Sequence, residues 1–332
     1  MENETNELSA IHFESRIDLG ELQQSMEAVR LELKKVIVGQ DKVIDYLLVA
    51  MLSNGHVLLE GVPGVAKTMA VKLLARTIDA KFSRIQFTPD LMPADILGTS
   101  IFDLKKSEFE FRPGPVFSNL VLIDEVNRAP AKTQAALFEV MDEHQITIDG
   151  KTYKMDEPFM VMATQNPVEQ EGTYRLPEAQ LDRFMFKIII GYPSIEDEFE
   201  IIRREHEAPG GDKTADVKTV LPASKINNFR KLIKQVIVEQ NIIEYIARIV
   251  KNTRENPFLY LGASPRASLA ILNASKGFAA LRGRDFVTPE DIKNAALPVL
   301  QHRIIVAPEK EMEGLKADDI VRQIIESVEV PR

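Results

Sequence analysis

The segment from Gly61 to Thr68 reads Gly-Val-Pro-Gly-Val-Ala-Lys-Thr. Backbone N–H groups in a loop of this kind can cradle phosphate oxygens. Lys67 would neutralise the β and γ oxygens, and Thr68 offers a hydroxyl suited to magnesium. The apolar run His56 to Glu60 precedes it and a helix-patterned stretch follows it, the strand-loop-helix setting that a phosphate loop needs. The usual pattern has glycine directly before the lysine, whereas this chain has Ala66, which is tolerable where the backbone is already helical. The competing interpretation is a Pro-Gly turn that merely joins strand to helix.

A second apolar run, Leu120 to Ile123, ends on Asp124 and Glu125. Downstream of a phosphate loop, such a pair suits hydrolysis: Asp124 would hold the magnesium, directly or through water, and Glu125 would orient and polarise the attacking water. Alone, adjacent acids after a strand are as often a solvated helix start. Ala163-Thr-Gln-Asn166-Pro167 brings an amide to the end of another buried run, where Asn166 could bond the γ-phosphate or the water; otherwise Asn166 and Pro167 make a turn.

Two arginines stand out by position. The stretch Leu176 to Phe184 reads as a short helix with Pro177 in its first turn and Arg183 at its end. A cation there is favourable without any ligand. In a ring, the same side chain would point at a neighbour's ATP as an arginine finger. Ser264-Pro265 starts a helix that carries Arg266 in its first turn, against the helix dipole, which points to an anionic partner such as the γ-phosphate or else to a solvated arginine.

These residues require a sheet to present them. Apolar runs at His56 to Glu60, Ser83 to Phe87, Leu120 to Asp124, Phe159 to Ala163 and Phe186 to Ile190 alternate with helix-patterned stretches. Runs apolar on both faces predict a doubly wound parallel sheet, with ligands beyond the carboxyl ends of its strands. A helix-patterned segment, about Asp18 to Met51 and broken at Val38-Gly-Gln-Asp41, precedes the sheet. After Pro193 the strand signals stop, and the polar stretch Pro209 to Thr219 leads to a helical remainder with starts at Ser264 and Thr288. Two stretches carry hairpin character: about Asp95 to Pro115, and Ile146 to Tyr153 around an Asp149-Gly150 turn. The expected division is a tail over 1–17, an α/β core over 18–208 and an all-helical domain over 209–332.

With 332 residues, two domains of about 150 residues each are expected. No run approaches the roughly 20 apolar residues of a membrane span, and the acidic start Met1 to Leu8 lacks a secretory pattern, so a cytoplasmic address is expected. With no Cys, disulfides, thiolate metal sites and cysteine catalysis are excluded, and five scattered His make a zinc site a poor fit. The net charge of -9 argues against a general nucleic-acid surface, although a ring can be acidic outside and basic in its channel.

Taken in order, Gly61 to Thr68, Leu122 to Pro130 (Leu-Ile-Asp-Glu-Val-Asn-Arg-Ala-Pro), Ala163 to Pro167, Glu178 to Phe184 (Glu-Ala-Gln-Leu-Asp-Arg-Phe) and Gly262 to Arg266 resemble the successive motifs of the MoxR family of AAA+ ATPases. The resemblance extends from Glu21 to Arg332, and Ala66 is usual in that family. It implies an αβα P-loop core with a C-terminal helical lid and ATP with Mg2+ bound between them. The two hairpins would be the helix-2 insert, about 95–115, and the pre-sensor hairpin, about 144–157. Nucleotide would be held by Gly61, Val62, Pro63, Gly64, Val65, Ala66, Lys67, Thr68, Met69 and Asp124, with Val38 and Gly39 bordering the adenine. The resemblance also implies a ring, commonly a hexamer, with Arg183 as a finger in trans. It further implies a chaperone-like role on partner complexes, often proteins with a von Willebrand factor A domain.

A nucleic-acid motor and a magnesium-chelatase-like motor subunit are the alternatives. A DNA-gripping hairpin should carry several cations, whereas Thr147 to Met155 offers only Lys151 and Lys154 beside Asp149, which favours a protein remodeller.

Overall fold

The computed structural model describes residues 17–62, 67–166, 174, 176–207 and 214–331. The expected tail, and Pro63, Gly64, Val65 and Ala66 of the phosphate loop, lie outside the described residues. In chain order the elements are α1 (Gly20–Lys34), α2 (Asp41–Leu52), β1 (His56–Gly61), α3 (Lys67–Thr77), β2 (Phe82–Gln86), α4 (Pro93–Leu97), β3 (Gly98–Asp103), β4 (Glu108–Pro113), β5 (Leu120–Asp124), α5 (Ala131–Glu143), β6 (Gln145–Ile148) and β7 (Lys151–Lys154). They continue with β8 (Met160–Gln165), α6 (Glu178–Leu181), β9 (Phe184–Ile190), α7 (Ile195–Glu207), α8 (Ala223–Lys234), α9 (Gln240–Glu255), β10 (Leu259–Leu261), α10 (Pro265–Leu281), α11 (Pro289–Leu300), β11 (Ile305–Val306), α12 (Pro308–Met312) and α13 (Ala317–Ser327).

The five apolar runs form one parallel sheet in the order β2-β5-β8-β1-β9. Its strands are apolar on both faces because each face meets its own core. Val57, Leu59, Leu120, Leu122, Met160, Met162, Phe186 and Ile188 point toward α1, α2 and α3. The alternating residues Leu58, Val121, Ile123, Val161 and Ala163 point toward α5. The first of these cores continues without a break into α8, α9, α10, α11 and α13, so the C-terminal helices share a hydrophobic interior with one side of the sheet.

Local signals set the element starts. Ser264 caps α10 by accepting the Arg266 N–H at 3.2 Å, and Thr288 with Asp291 forms a capping box at α11. The C-terminal part departs from the all-helical expectation in one detail: β10 and β11 pair as a small antiparallel ladder. Strands of three and two residues are too short to leave an alternation in the sequence. Likewise α6 ends at Leu181, so Arg183 lies just beyond that helix and directly before β9.

The two hairpins, β3-β4 and β6-β7, lie against each other. Phe111 and Tyr153 stack with ring centroids 4.3 Å apart, and Ser100 Oγ donates to the Asp149 carboxylate. Among the described residues no helix is long and apolar enough to cross a membrane.

Candidate functional site

Strands β1, β5 and β8 end side by side, and their final residues bring the predicted chemistry together. β1 ends on Gly61, where a Cβ would lie 2.5 Å from the Ile190 carbonyl oxygen, so the close approach of β9 admits only glycine. Val62 follows, half-buried against the core, and α3 opens with Lys67, Thr68 and Met69. Lys67 Nζ donates to the Gly61 carbonyl at 2.5 Å, which sets its ammonium over the end of β1. Burial pushes this ammonium below its ordinary value, while Asp124, Glu125 and Glu60 pull it the other way. Opposite charges therefore converge at the carboxyl end of the sheet.

Asp124 is buried at the end of β5. Its Oδ1 accepts from Thr164 Oγ1 at 3.2 Å, and its Oδ2 pairs with Arg84 Nε at 2.5 Å. The same Thr164 hydroxyl accepts the Glu125 N–H at 3.0 Å, so one side chain of β8 fixes both members of the acidic pair. Glu125 sits at φ 57, in the left-handed region, a cost that a non-glycine residue incurs only where its surroundings enforce it. Its carboxylate accepts from Gln86 Nε2 at 2.8 Å and faces Arg128 Nε at 3.1 Å. Asn166 follows β8 directly and is buried. The donors suit a magnesium ion: a carboxylate and a hydroxyl are hard oxygen ligands, and Arg84 already holds positive charge against Asp124. Magnesium is ordinarily bound by few side chains, and among the described residues no cluster of three or more His, Cys, Asp or Glu offers a cage.

Val38 and Gly39 lie in the break between α1 and α2. Gly39 has φ +70, and a Cβ there would run into the Asp197 carboxylate at the start of α7.

Arg183 lies elsewhere. It precedes β9, whose first residue Phe184 pairs with His56, the first residue of β1, whereas Ile190 pairs with Gly61. Seven residues of strand at about 3.3 Å each place Arg183 roughly 20 Å from the phosphate-loop end of the sheet. Its Nε is 3.1 Å from Asp142 Oδ2, and its guanidinium lies 5.9 Å from the Phe138 ring centroid. Arg266 lies at this same end. Ser264, the cap of its helix, donates to Asp182 Oδ2 at 2.9 Å, and Arg266 is close enough to Arg303 to disfavour the charge of that buried guanidinium. Within one chain Arg266 therefore does not stand with Lys67, because Asp182 ties the start of α10 to the opposite end of the sheet.

Arg84, Gln86, Thr164, Arg128, Asp182 and Arg303 were not anticipated from sequence. Arg84 and Gln86 did carry a signal, as polar residues two apart on an apolar run ending beside the acidic pair.

The family "ATPase family associated with various cellular activities (AAA)" matches residues 56–186, and the AAA lid domain matches residues 251–324. Chaperone MoxR1 of Mycobacterium tuberculosis is 44% identical over 93% of this chain and 83% of its own length. The chain belongs to the MoxR family of AAA+ ATPases. The uncharacterised protein YeaC of Bacillus subtilis is 47% identical over 90% of this chain and 92% of its own length. A crystal structure from Cytophaga hutchinsonii, described as that of a presumed ATPase, superposes with a TM-score of 0.87 at 44% identity, covering 95% of this chain and 97% of that one. As a MoxR ATPase, the protein binds ATP and hydrolyses its phosphoanhydride bond.

Proposed function

We propose that this MoxR protein is a Mg2+-dependent ATPase whose active sites are completed between subunits of a ring, in the hexameric form usual for AAA+ proteins, and that it remodels client protein complexes in the cytoplasm. The observation that carries this reading is the separation of Arg183 and Arg266 from Lys67 by the length of β9. An arginine reaches a small fraction of that distance, so both cations would serve the ATP of an adjacent subunit.

In such a site Lys67 and the loop from Gly61 to Met69 bind the phosphates, and Val38 and Gly39 border the adenine. Glu125, held by Gln86 and Arg128, takes a proton from the attacking water, and Asn166 orients that water or the γ-phosphate. A magnesium ion held by Thr68 and Asp124 would neutralise the β and γ oxygens. The neighbour's Arg183 and Arg266 offset charge on the transferring group.

A protein client is supported by the β3-β4 hairpin, which exposes Ile101, Phe102, Leu104 and Phe109. Lys106 on that hairpin is paired with Asp103 and Glu110, so its tip is apolar and charge-compensated where a phosphate-backbone grip would be cationic. Partners with a von Willebrand factor A domain are the client class suggested by the resemblance to other MoxR proteins.

The test is complementation. Glu125→Gln and Arg183→Ala chains, each inactive alone, should regain phosphate release when mixed, since one contributes an intact acidic pair and the other an intact finger. A mixture as inactive as its components would remove the inter-subunit site.

A further inference from the structure

A second concave site lies away from the ATPase machinery. Its cavity of about 510 Å³ is bounded by the end of α2 (Leu52, Ser53, Asn54), by α8 and by α10, with Glu157 at one side. The size is that of a small-molecule site. Four cations line it, namely Arg230, Lys231, Lys234 and Lys276, against the one carboxylate of Glu157.

Arg230 is the decisive residue. It is 9% exposed, its Nε donates to the Met51 carbonyl at 3.0 Å and its Nη1 pairs with Glu157 Oε2 at 2.5 Å. Its Nη2 is buried and, among the described residues, has no hydrogen-bond partner. A guanidinium presents a fork of donors, and leaving one buried and unpaired is costly. Lys276 adds a half-buried ammonium that donates to the Lys234 carbonyl at 2.9 Å and, among the described residues, forms no salt bridge. Burial pushes that ammonium below its ordinary value, as expected of a cation short of counter-charge. Nothing in ATP hydrolysis calls on any of these groups.

We propose that this cavity binds a small phosphate-bearing anion, free or as the phosphate end of a nucleotide, with the Arg230 fork and the three lysines as its ligands. A phosphate group supplies several acceptor oxygens and more than one negative charge. That matches a fork plus point charges better than a single carboxylate does. The site is also wired to a working part of the fold. Glu157, which shares Arg230, accepts from His144 Nδ1 at 3.0 Å, and the His144 carbonyl accepts the Met155 N–H at the base of the β6-β7 hairpin. An anion competing for Arg230 would therefore loosen Glu157 at the base of that hairpin.

The experiment is calorimetric titration of inorganic pyrophosphate into the full chain carrying Lys67→Ala, which disables the phosphate loop. We expect one site per chain, weakened by about tenfold or more in Lys276→Ala and in the Lys231→Ala/Lys234→Ala pair. The latter two side chains are exposed, so their removal leaves the fold in place. Replacement of the remote Lys132 and Lys251 by alanine should leave the affinity unchanged. ADP titrated into the Lys67→Ala background with and without Lys276→Ala separates the two sources: Lys276-dependent binding equal to that of pyrophosphate identifies bare phosphate, and tighter Lys276-dependent binding identifies a nucleotide. Absence of pyrophosphate binding, or equal weakening by the remote pair, would overturn the site.

Discussion

Arg303 Nε donates to Asp182 Oδ1 at 2.6 Å, joining the helical lid to the residue that immediately precedes Arg183. The buried Arg303 guanidinium also donates to the carbonyls of Asp182, Phe184, Met185 and Val299, and Asp182 Oδ2 receives the Ser264 hydroxyl. One carboxylate thus links the start of β9, the cap of α10 and the end of α11. Arg183 and Arg266 are thereby carried on one rigid unit.

Replacing Arg303 by methionine leaves Asp182 uncompensated and several carbonyls unpaired. Loss of one partner from a buried pair costs about 3–5 kcal/mol, so a denaturant midpoint well below the parent's is expected. Asp182→Asn keeps the shape and the Ser264 contact. It should cost less stability yet lower ATP turnover with nucleotide affinity retained. An Arg303→Met chain as stable as the parent would show that the link contributes nothing.

Glu125→Gln preserves the side-chain volume and removes the base. Turnover should fall by about 10²–10⁴ while binding of a fluorescent ATP analogue is unchanged. Gln86→Ala takes away one of the two groups that hold the carboxylate, and a smaller loss confined to kcat is expected. Turnover unaffected by Glu125→Gln would place the chemistry elsewhere.

Acid should destabilise the fold through His56. This imidazole accepts the Val161 N–H at Nδ1 and donates from Nε2 to the Met141 carbonyl, and burial pushes it down to about 4. In the unfolded chain a histidine titrates near ~6.5. Between those values the unfolded chain binds a proton that the folded chain does not, so stability is lost as pH falls from about 6.5 to about 4, by up to about 1.4 kcal/mol per pH unit. His302, buried beside Arg303 and pushed well below its usual value, adds a second proton. Urea melts across this range should show the slope, and His56→Asn should make it shallower by one proton. An unchanged slope in that variant would exclude His56 as a source.

The hairpins should be coupled through Phe111 and Tyr153. A double-mutant cycle with alanine at both positions is expected to give an interaction energy of about 0.5–1.5 kcal/mol. Strict additivity would mean that the hairpins act independently.

What could be read in advance was whatever is local in sequence. Five apolar runs specified the sheet, and Ser264 and Thr288 marked helix starts because a capping hydroxyl acts within three residues. The grouping of Lys67, Asp124, Glu125 and Asn166 at the ends of β1, β5 and β8 was legible for the same reason, each motif being one strand and its exit. Asp182 and Arg303 are 121 positions apart, and neither type is unusual where it stands, so no pattern announced their pairing. Arg266 drew attention by its unfavourable dipole, but the end of the sheet it occupies is set by Ser264 meeting Asp182, a tertiary contact. Thr164 carries no signal between Ala163 and Gln165 because its role is to bridge Asp124, at the end of β5, and Glu125, just beyond it.

The most direct measurement is steady-state phosphate release as a function of protein concentration, with Glu125→Gln and Arg183→Ala run beside the parent chain. Completion of each site by a neighbour predicts specific activity that rises with concentration and collapses in both variants. Activity flat with concentration and indifferent to Arg183→Ala would contradict it and leave a self-contained ATPase.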